Sequence, residues 1–345
     1  MVSLLDVAKK AGVSIATASL ALRGRGEVAA KTAERIRWAA EELGYKPNPL
    51  LASLATKRFR APGSIEGTPL AILQFPRQAG EMGQDFEERY PAAILPHALS
   101  LGYSPTVYKL ENSSAAPPLF RELYHRMVQG VIVVGSMDMQ GFGSRMAWEH
   151  FSVVACARFA DALPFHTVRP NIFQGIKLAF QQLRDRGYQR IGFAIGRHPW
   201  PMEDDEARQG AASALVNSGI PRKDRIPAFD GMIGDLRGFE AWVNKRRPDA
   251  VLAFSEAQYW HLRGMGVLVP RDMGFACLHL GAGGGKVLLS GLLQNREEIA
   301  RQSVLQLDQL IRNRERGMPE LPLNILIPST WVDGKTLRKA PRGRR

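Results

Sequence analysis

Residues Ser3 to Arg23 read SLLDVAKKAGVSIATASLALR, and this stretch decides how the rest of the chain is read. Ser3 is placed to cap a first helix, with Asp6 three residues on as its capping-box partner. Leu4, Leu5, Val7, Ala8 and Ala11 then recur at helical spacing. Gly12 supplies the left-handed residue that ends a helix. Ser14 caps a second helix, predicted over Ile15–Leu22. Two short helices joined by a tight turn make a helix-turn-helix, which lays its second helix in the major groove of DNA. A third helix is predicted from Lys31 to Leu43, with Thr32, Ile36, Ala39, Ala40 and Leu43 as its apolar face and Gly44 at its end.

The next residues, Tyr45-Lys46-Pro47-Asn48-Pro49, are incompatible with regular helix. Pro49 suits the first turn of a new short helix over LLASLATKR (50–58). Phe59 to Pro69, rich in Gly, Pro and Ser, reads as a linker. From Leu70 the texture changes. Short β-type runs appear at Leu70–Phe75, Pro105–Tyr108, Val131–Val134, Val153–Ala157, Ile191–Ile195, Ala250–Phe254, Met273–Leu278 and Asn324–Ile327. Amphipathic segments such as Ile172–Arg186 and Glu297–Arg314 lie between them. This alternation predicts α/β architecture with parallel, doubly wound sheets, and the number of repeats suits two lobes better than one. Ligands in such folds bind outside the carboxyl ends of the strands, here in the cleft between lobes.

Four regions follow: a helix-turn-helix module (1–47), a hinge helix with linker (48–68), a two-lobed core (69–340) and a basic tail (341–345). The lobes are expected at 69–166 plus 292–323, and at 167–291 plus 324–340.

The 345 residues carry 46 Lys/Arg against 33 Asp/Glu, a net charge of +13. Residues 1–60 hold +6 of this and residues 335–345 another +6, leaving +1 for everything between. A concentrated basic region favours a polyanion through counterion release. In the N-terminal region the excess coincides with a helix-turn-helix. In the tail it reads as a solvated end rather than a second DNA contact. No run approaches the ~20 apolar residues of a membrane span, and charges at Asp6, Lys9 and Lys10 interrupt the N-terminus as a signal segment. A cytoplasmic protein is expected. Cys156 and Cys277, both in apolar strand-like runs, read as buried thiols rather than a disulfide framework.

The first 60 residues closely resemble the DNA-binding module of LacI-family transcription regulators. The matching pieces are DVAKKAGVS (6–14), IATAS (15–19), ALRGRGEVAAKT (21–32) and ELGYKPNPLLASLA (42–55). The remainder is similar, more loosely, to the family's periplasmic-binding-protein-like core, at RDRGYQRIGFAIG (184–196), RRPDAVLAFSE (246–256) and GMGVLVPRDMGFACL (264–278). The resemblance implies a homodimeric repressor on a pseudo-palindromic operator, switched by a small molecule, a sugar or related metabolite, in the core. It implies neither a cofactor nor an enzymatic activity.

The DNA contacts it implies are Leu4, Ser14, Ile15, Ala16, Thr17, Ser19, Leu20, Arg23, Arg25, Tyr45, Asn48, Leu54 and Ala55. Leu54 matches the leucine that wedges a base step of the minor groove. Leu50 and Leu51 read as packing between paired hinge helices. Ala18, Ala21 and Leu22 fall on the opposite face of the second helix and belong to the core. Leu20 stands where many relatives carry arginine. Arginine reads guanine with two hydrogen bonds, whereas Ile15, Ala16 and Leu20 offer apolar contact, for instance to thymine methyls. Ala29 stands where the family often has a capping serine.

The ligand contacts carried over are Asn171, Arg208, Ser255, Glu256 and His279, and several differ in type from the family's pattern. Trp200 and Trp260 fit either a stacking surface for a sugar ring or packing at a lobe surface. A transporter's solute-binding protein shares the core but carries no DNA module. An enzyme is the other rival. Gly281 to Lys286 fails the phosphate-loop pattern, because Leu280 stands at the first glycine position and Val287 follows the lysine. The seven histidines show no metal-ligand spacing. The acidic run Glu203–Glu206 reads as charge stabilisation of a helix N-terminus.

Overall fold

The computed structural model describes residues 4–22, 28–43, 67–74, 85–110, 115–134, 146–157, 164–198, 203–280 and 288–339. The chain divides into two compact units, Met1–Ile65 and Glu66–Arg345.

The first unit contains α1 (Leu4–Lys10), α2 (Ile15–Leu22) and α3 (Ala30–Glu42). Gly12 takes φ +61°, the left-handed conformation that a turn here requires. The Val13 N–H reaches back to the Ala8 carbonyl at 3.0 Å. The core is built mostly from alanines (Ala8, Ala11, Ala18, Ala21, Ala33, Ala39, Ala40) around Val7 and Ile36. Small side chains let three short helices approach closely. α3 starts at Ala30 with Ala29 as its N-cap, and no side chain caps it. The predicted hinge helix lies outside the described residues.

The second unit holds two sheets. The first has the order β2-β1-β3-β4-β5-β10 and is parallel throughout, from β1 (Thr68–Gln74), β2 (Tyr103–Lys109), β3 (Gly130–Val134), β4 (Ser152–Cys156), β5 (His166–Pro170) and β10 (Asn324–Ile327). Alternation along β1 sends Leu70 and Ile72 to one face and Ala71 and Leu73 to the other. The first pair packs with Tyr90 and Ile94 of α4 (Asp85–Ser100) and with Leu307 and Leu310 of α10 (Arg296–Asn313). The second pair packs with Phe120 and Leu123 of α5 (Ala116–His125) and with Trp148 and Phe151.

The second sheet runs β6 (Ile191–Ala194), β7 (Ala250–Ala253), β8 (Gly274–Cys277) and β9 (Ser290–Leu293) in parallel order, with β11 (Thr330–Val332) antiparallel at its edge. Its faces are covered by α6 (Ile172–Asp185) with α7 (Glu203–Gly219), and by α8 (Leu236–Arg246) with α9 (Glu256–Gly264). Burying both faces of each sheet is the doubly wound arrangement that strand–helix alternation predicts. Cys156 and Cys277 are buried and free, and burial pushes both thiols up to about 12.

The lobe boundaries differ from those expected. β5, cut at 166 in the sequence reading, pairs with β4. β10, assigned there to the second lobe, pairs with β5. The chain therefore crosses between sheets after Pro170, after Leu293 and after Ile327. The crossovers are joined to one another. The Asn171 N–H donates to the Ile327 carbonyl at 2.8 Å, Asn295 Nδ2 donates to the Pro328 carbonyl at 2.7 Å, and the Thr330 hydroxyl donates to Asn295 Oδ1 at 3.1 Å. The start of the C-terminal tail also differs from a solvated end: Arg338 stacks on the Tyr188 ring at 4.9 Å, and its N–H donates to the Tyr188 hydroxyl oxygen.

Candidate functional site

The N-terminal unit presents α2 as a two-sided helix. Ala18 and Ala21 are buried, while Ile15 is 48% exposed. Ser14 Oγ accepts the Thr17 N–H at 3.0 Å and lies 2.8 Å from the Thr17 hydroxyl. The hydroxyl that opens α2 is thus its N-cap, an extra fastening for a helix of eight residues. Ala16, Ser19 and Leu20 lie within α2, and Leu4 is the first residue of α1. Arg23, Arg25, Tyr45, Asn48, Leu54 and Ala55 lie outside the described residues.

In the core, a pocket opens where the three crossovers meet. It is lined by Ile172 and Gly175 from the start of α6, by Leu292 of β9, by Gln294 from the second crossover, and by Ser329 from the third. Arg208 of α7 and His279, just beyond β8, complete its polar lining. Arg208 is fully buried. Its guanidinium forms a short ion pair with Asp205, lies 3.3 Å from His198 Nδ1, and sits 4.9 Å over the Phe254 ring. Asp205 in turn accepts the His198 N–H at 2.6 Å and lies 2.8 Å from its Nδ1. His279 Nδ1 lies 2.6 Å from Gln294 Nε2, and the His279 ring packs 4.5 Å from Phe254. Phe254 also lines a neighbouring pocket with Phe229, Met232, Ser255 and Gln258.

Of the ligand residues expected from the sequence, Arg208 and His279 come together on one pocket and Ser255 falls on the other. Asn171 and Glu256 line neither. The side-chain oxygen of Asn171 accepts the Gln174 N–H at 3.0 Å as the N-cap of α6. Glu256 is exposed on the first turn of α9, behind a capping box formed by Ser255 and Gln258. Trp260 is 48% exposed on the same helix, away from both pockets, and Trp200 lies outside the described residues.

The acidic run at 203–206 does open α7, but two of its members turn inward. Asp205 holds Arg208 and His198, and Asp204 pairs with Arg169 of β5 at 3.3 Å. The sequence reading missed His198, Asp205, Phe254 and Gln294. The i,i+3 spacing of Asp205 and Arg208 on one helix was the signal available for the first ion pair. Among the described residues, no group of His, Cys, Asp and Glu is placed to hold a metal ion, and no helix is long and apolar enough to cross a membrane. Residues Gly281 to Lys286 lie outside the described residues.

Comparison with known proteins gives the same reading. The family model described as "Bacterial regulatory proteins, lacI family" matches residues 3–48. The maltose regulon regulatory protein MalI of Escherichia coli (strain K12) is 28% identical over 227 residues, covering 64% of this chain and 61% of that protein. Catabolite control protein A of Priestia megaterium is 25% identical over 223 residues, covering 65% of this chain and 64% of that protein. The chain thus matches less than two thirds of the length of either relative. Among solved structures, the lac repressor dimer bound to operator and the anti-inducer ONPF superposes with a TM-score of 0.60. It is 21% identical and covers 98% of this chain and 99% of that one. The helix-turn-helix thus matches the family model over residues 3–48, and the chain shares the fold of the lac repressor over nearly its whole length.

Proposed function

We propose that this chain is a sequence-specific, DNA-binding transcription regulator: a repressor that binds a pseudo-palindromic operator as a homodimer. A small molecule in the core, a sugar or related metabolite, switches it. One observation carries the reading. The same chain holds a helix-turn-helix with Ile15 exposed on its second helix and a two-lobed core with a pocket lined from all three crossovers. A ligand there touches every segment that joins the lobes, so its binding energy acts on their relative rotation. Differential affinity for two lobe arrangements is all that a switch requires.

On the DNA side, Ile15, Ala16 and Leu20 read base edges by apolar contact. Ser14, Thr17 and Ser19 set register on phosphates, with Arg23 and Arg25 adding phosphate or base contacts. Leu4, Tyr45, Asn48 and Ala55 complete the contact set, and Leu54 wedges the central minor-groove step. The role needs neither catalysis nor a cofactor, and it belongs in the cytoplasm with the operator.

Selection of bound sequences from random duplexes tests the proposal, repeated with candidate metabolites present. The expected result is a two-fold-related site whose affinity changes with one ligand class. Recovery of no palindromic site would overturn the DNA role. Salt dependence should be steep, because phosphate contacts release counterions.

A further inference from the structure

The pocket at the crossovers has a charge character of its own. The polar side chains in its lining are Arg208, His279, Gln294 and Ser329, and none of these is a carboxylate. Arg208 brings a permanent cation to a fully buried position. Its place is fixed by Asp205 on one side and by the Phe254 ring beneath it. The rest of the lining is apolar apart from the first turn of α6, at Ile172 and Gly175. That helix runs for 14 residues, and its N-terminus carries positive partial charge. Gly175 leaves the turn without a side chain, and a methyl added there would meet Leu292 Cδ1 at 3.1 Å.

We propose that this pocket takes a negatively charged group of the effector, a carboxylate or a phosphate ester, rather than the hydroxyls of a neutral sugar. The proposal rests on the ligand-switched reading above and narrows its ligand class. A buried anion needs a cation and directed donors. Arg208 supplies directed donors and a positive charge shared with Asp205, the Gln294 amide is oriented against His279 at 2.6 Å, and the α6 dipole adds to them. A neutral, hydroxyl-rich ligand brings donors that are best met by carboxylate acceptors, which this lining lacks. Asp205 is a positioning residue: it holds the guanidinium from the side and is not part of the pocket lining.

The test uses the full chain, with thermal unfolding and titration calorimetry against inorganic phosphate, malonate and glucose at matched ionic strength. Saturable binding of phosphate or malonate, with glucose without effect, is expected. Phosphate alone identifies a phosphate ester, and malonate alone a carboxylic acid. His279→Asp places a carboxylate in the lining and is expected to weaken anion binding at least roughly tenfold. Gly175→Ala narrows the same pocket without changing charge and should weaken it too. Anions bound to the basic N-terminal unit would be insensitive to both substitutions, and that insensitivity overturns the proposal. So does a lack of saturable anion binding, or glucose binding more tightly than either anion. Operator selection on the same preparation separates the two readings. Specific DNA binding without an anion response overturns only the ligand class, whereas absence of a selected site overturns the regulator itself.

Discussion

Arg169, on the last strand before the first crossover, lies 3.3 Å from Asp204, on the first turn of α7, and both side chains are largely buried. One belongs to the first sheet and the other to a helix on the second, so this ion pair ties the lobes together beside the first crossover. Removing one partner leaves a charge without its counterion in a poorly solvated site. Arg169→Met should therefore destabilise the core by on the order of 3 kcal/mol. The double change Arg169→Met with Asp204→Leu should recover much of the loss, because no lone charge then remains. Urea unfolding of the two single variants and the double variant measures the coupling. Additive effects would show that the pair does not couple the lobes.

Ala29 occupies an N-cap position with extended backbone, φ −53° and ψ 137°, and offers no side-chain acceptor to α3. Ala29→Ser should stabilise the N-terminal unit by about 1 kcal/mol. Trp38 on α3, 60% exposed with Lys10 Nζ 5.7 Å from its ring, is a convenient fluorescence reporter. An unchanged unfolding midpoint would mean that the first turn of α3 is already satisfied by other means.

Leu20→Arg should change the operator. A guanidinium at that point of α2 selects guanine through a two-point hydrogen bond, typically worth about 1–3 kcal/mol against the wrong base. The variant should enrich G·C pairs at one position in each half-site. If both proteins select the same sequences, apolar readout by α2 is wrong.

His166 makes the core sensitive to mild acid. Its Nδ1 accepts the Leu323 N–H at 3.0 Å, a bond that requires an unprotonated nitrogen there. Burial lowers the imidazole pKa below its ordinary 6.5, partly opposed by Glu315. With the folded value depressed, the stabilisation is complete above about pH 6.5 and declines as pH drops from there toward the folded value. Denaturant midpoints at pH 7.5 and 5.5 should show this loss. His166→Phe, which cannot titrate, should be less stable at pH 7.5 and show a smaller change between the two.

The N-terminal unit was the most legible part of the sequence. Cap, turn and heptad-like spacing are local signals, and α2 spans the predicted Ile15–Leu22, with Gly12 in the expected left-handed turn. Strands made of continuous apolar residues, such as Val131–Val134, were equally clear. Three strands were not. β5 reads His-Thr-Val-Arg-Pro, with polar side chains that find partners only in the folded core. β9 is a short run that begins Ser-Gly, and β11 has three residues. Missing β5 and the pairing of β10 moved the lobe boundaries, because parallel partners here lie more than 150 residues apart and local periodicity carries no trace of them. The pocket was half legible. Arg208 stands next to the position where the family's arginine falls, and His279 stands where the family has an acidic residue, so both could be named, but Asn171 has a capping role that only the geometry reveals. Asp205, Phe254 and Gln294 act through contacts between distant segments.

The triple crossover also bears on how the molecule is made. The first sheet lacks one edge strand, and one of the two helices packed on one of its faces, until residues 296–327 have been synthesised. The second sheet lacks its own edge until residue 332. Neither lobe has a complete set of elements in any N-terminal fragment that stops at residue 295. Closure of both waits on long-range pairing, which is intrinsically slow and leaves unpaired edges exposed meanwhile. The N-terminal unit, whose helical contacts lie within 40 residues of one another, faces no such delay. A nascent chain can therefore hold a formed helix-turn-helix unit well before it holds two complete lobes.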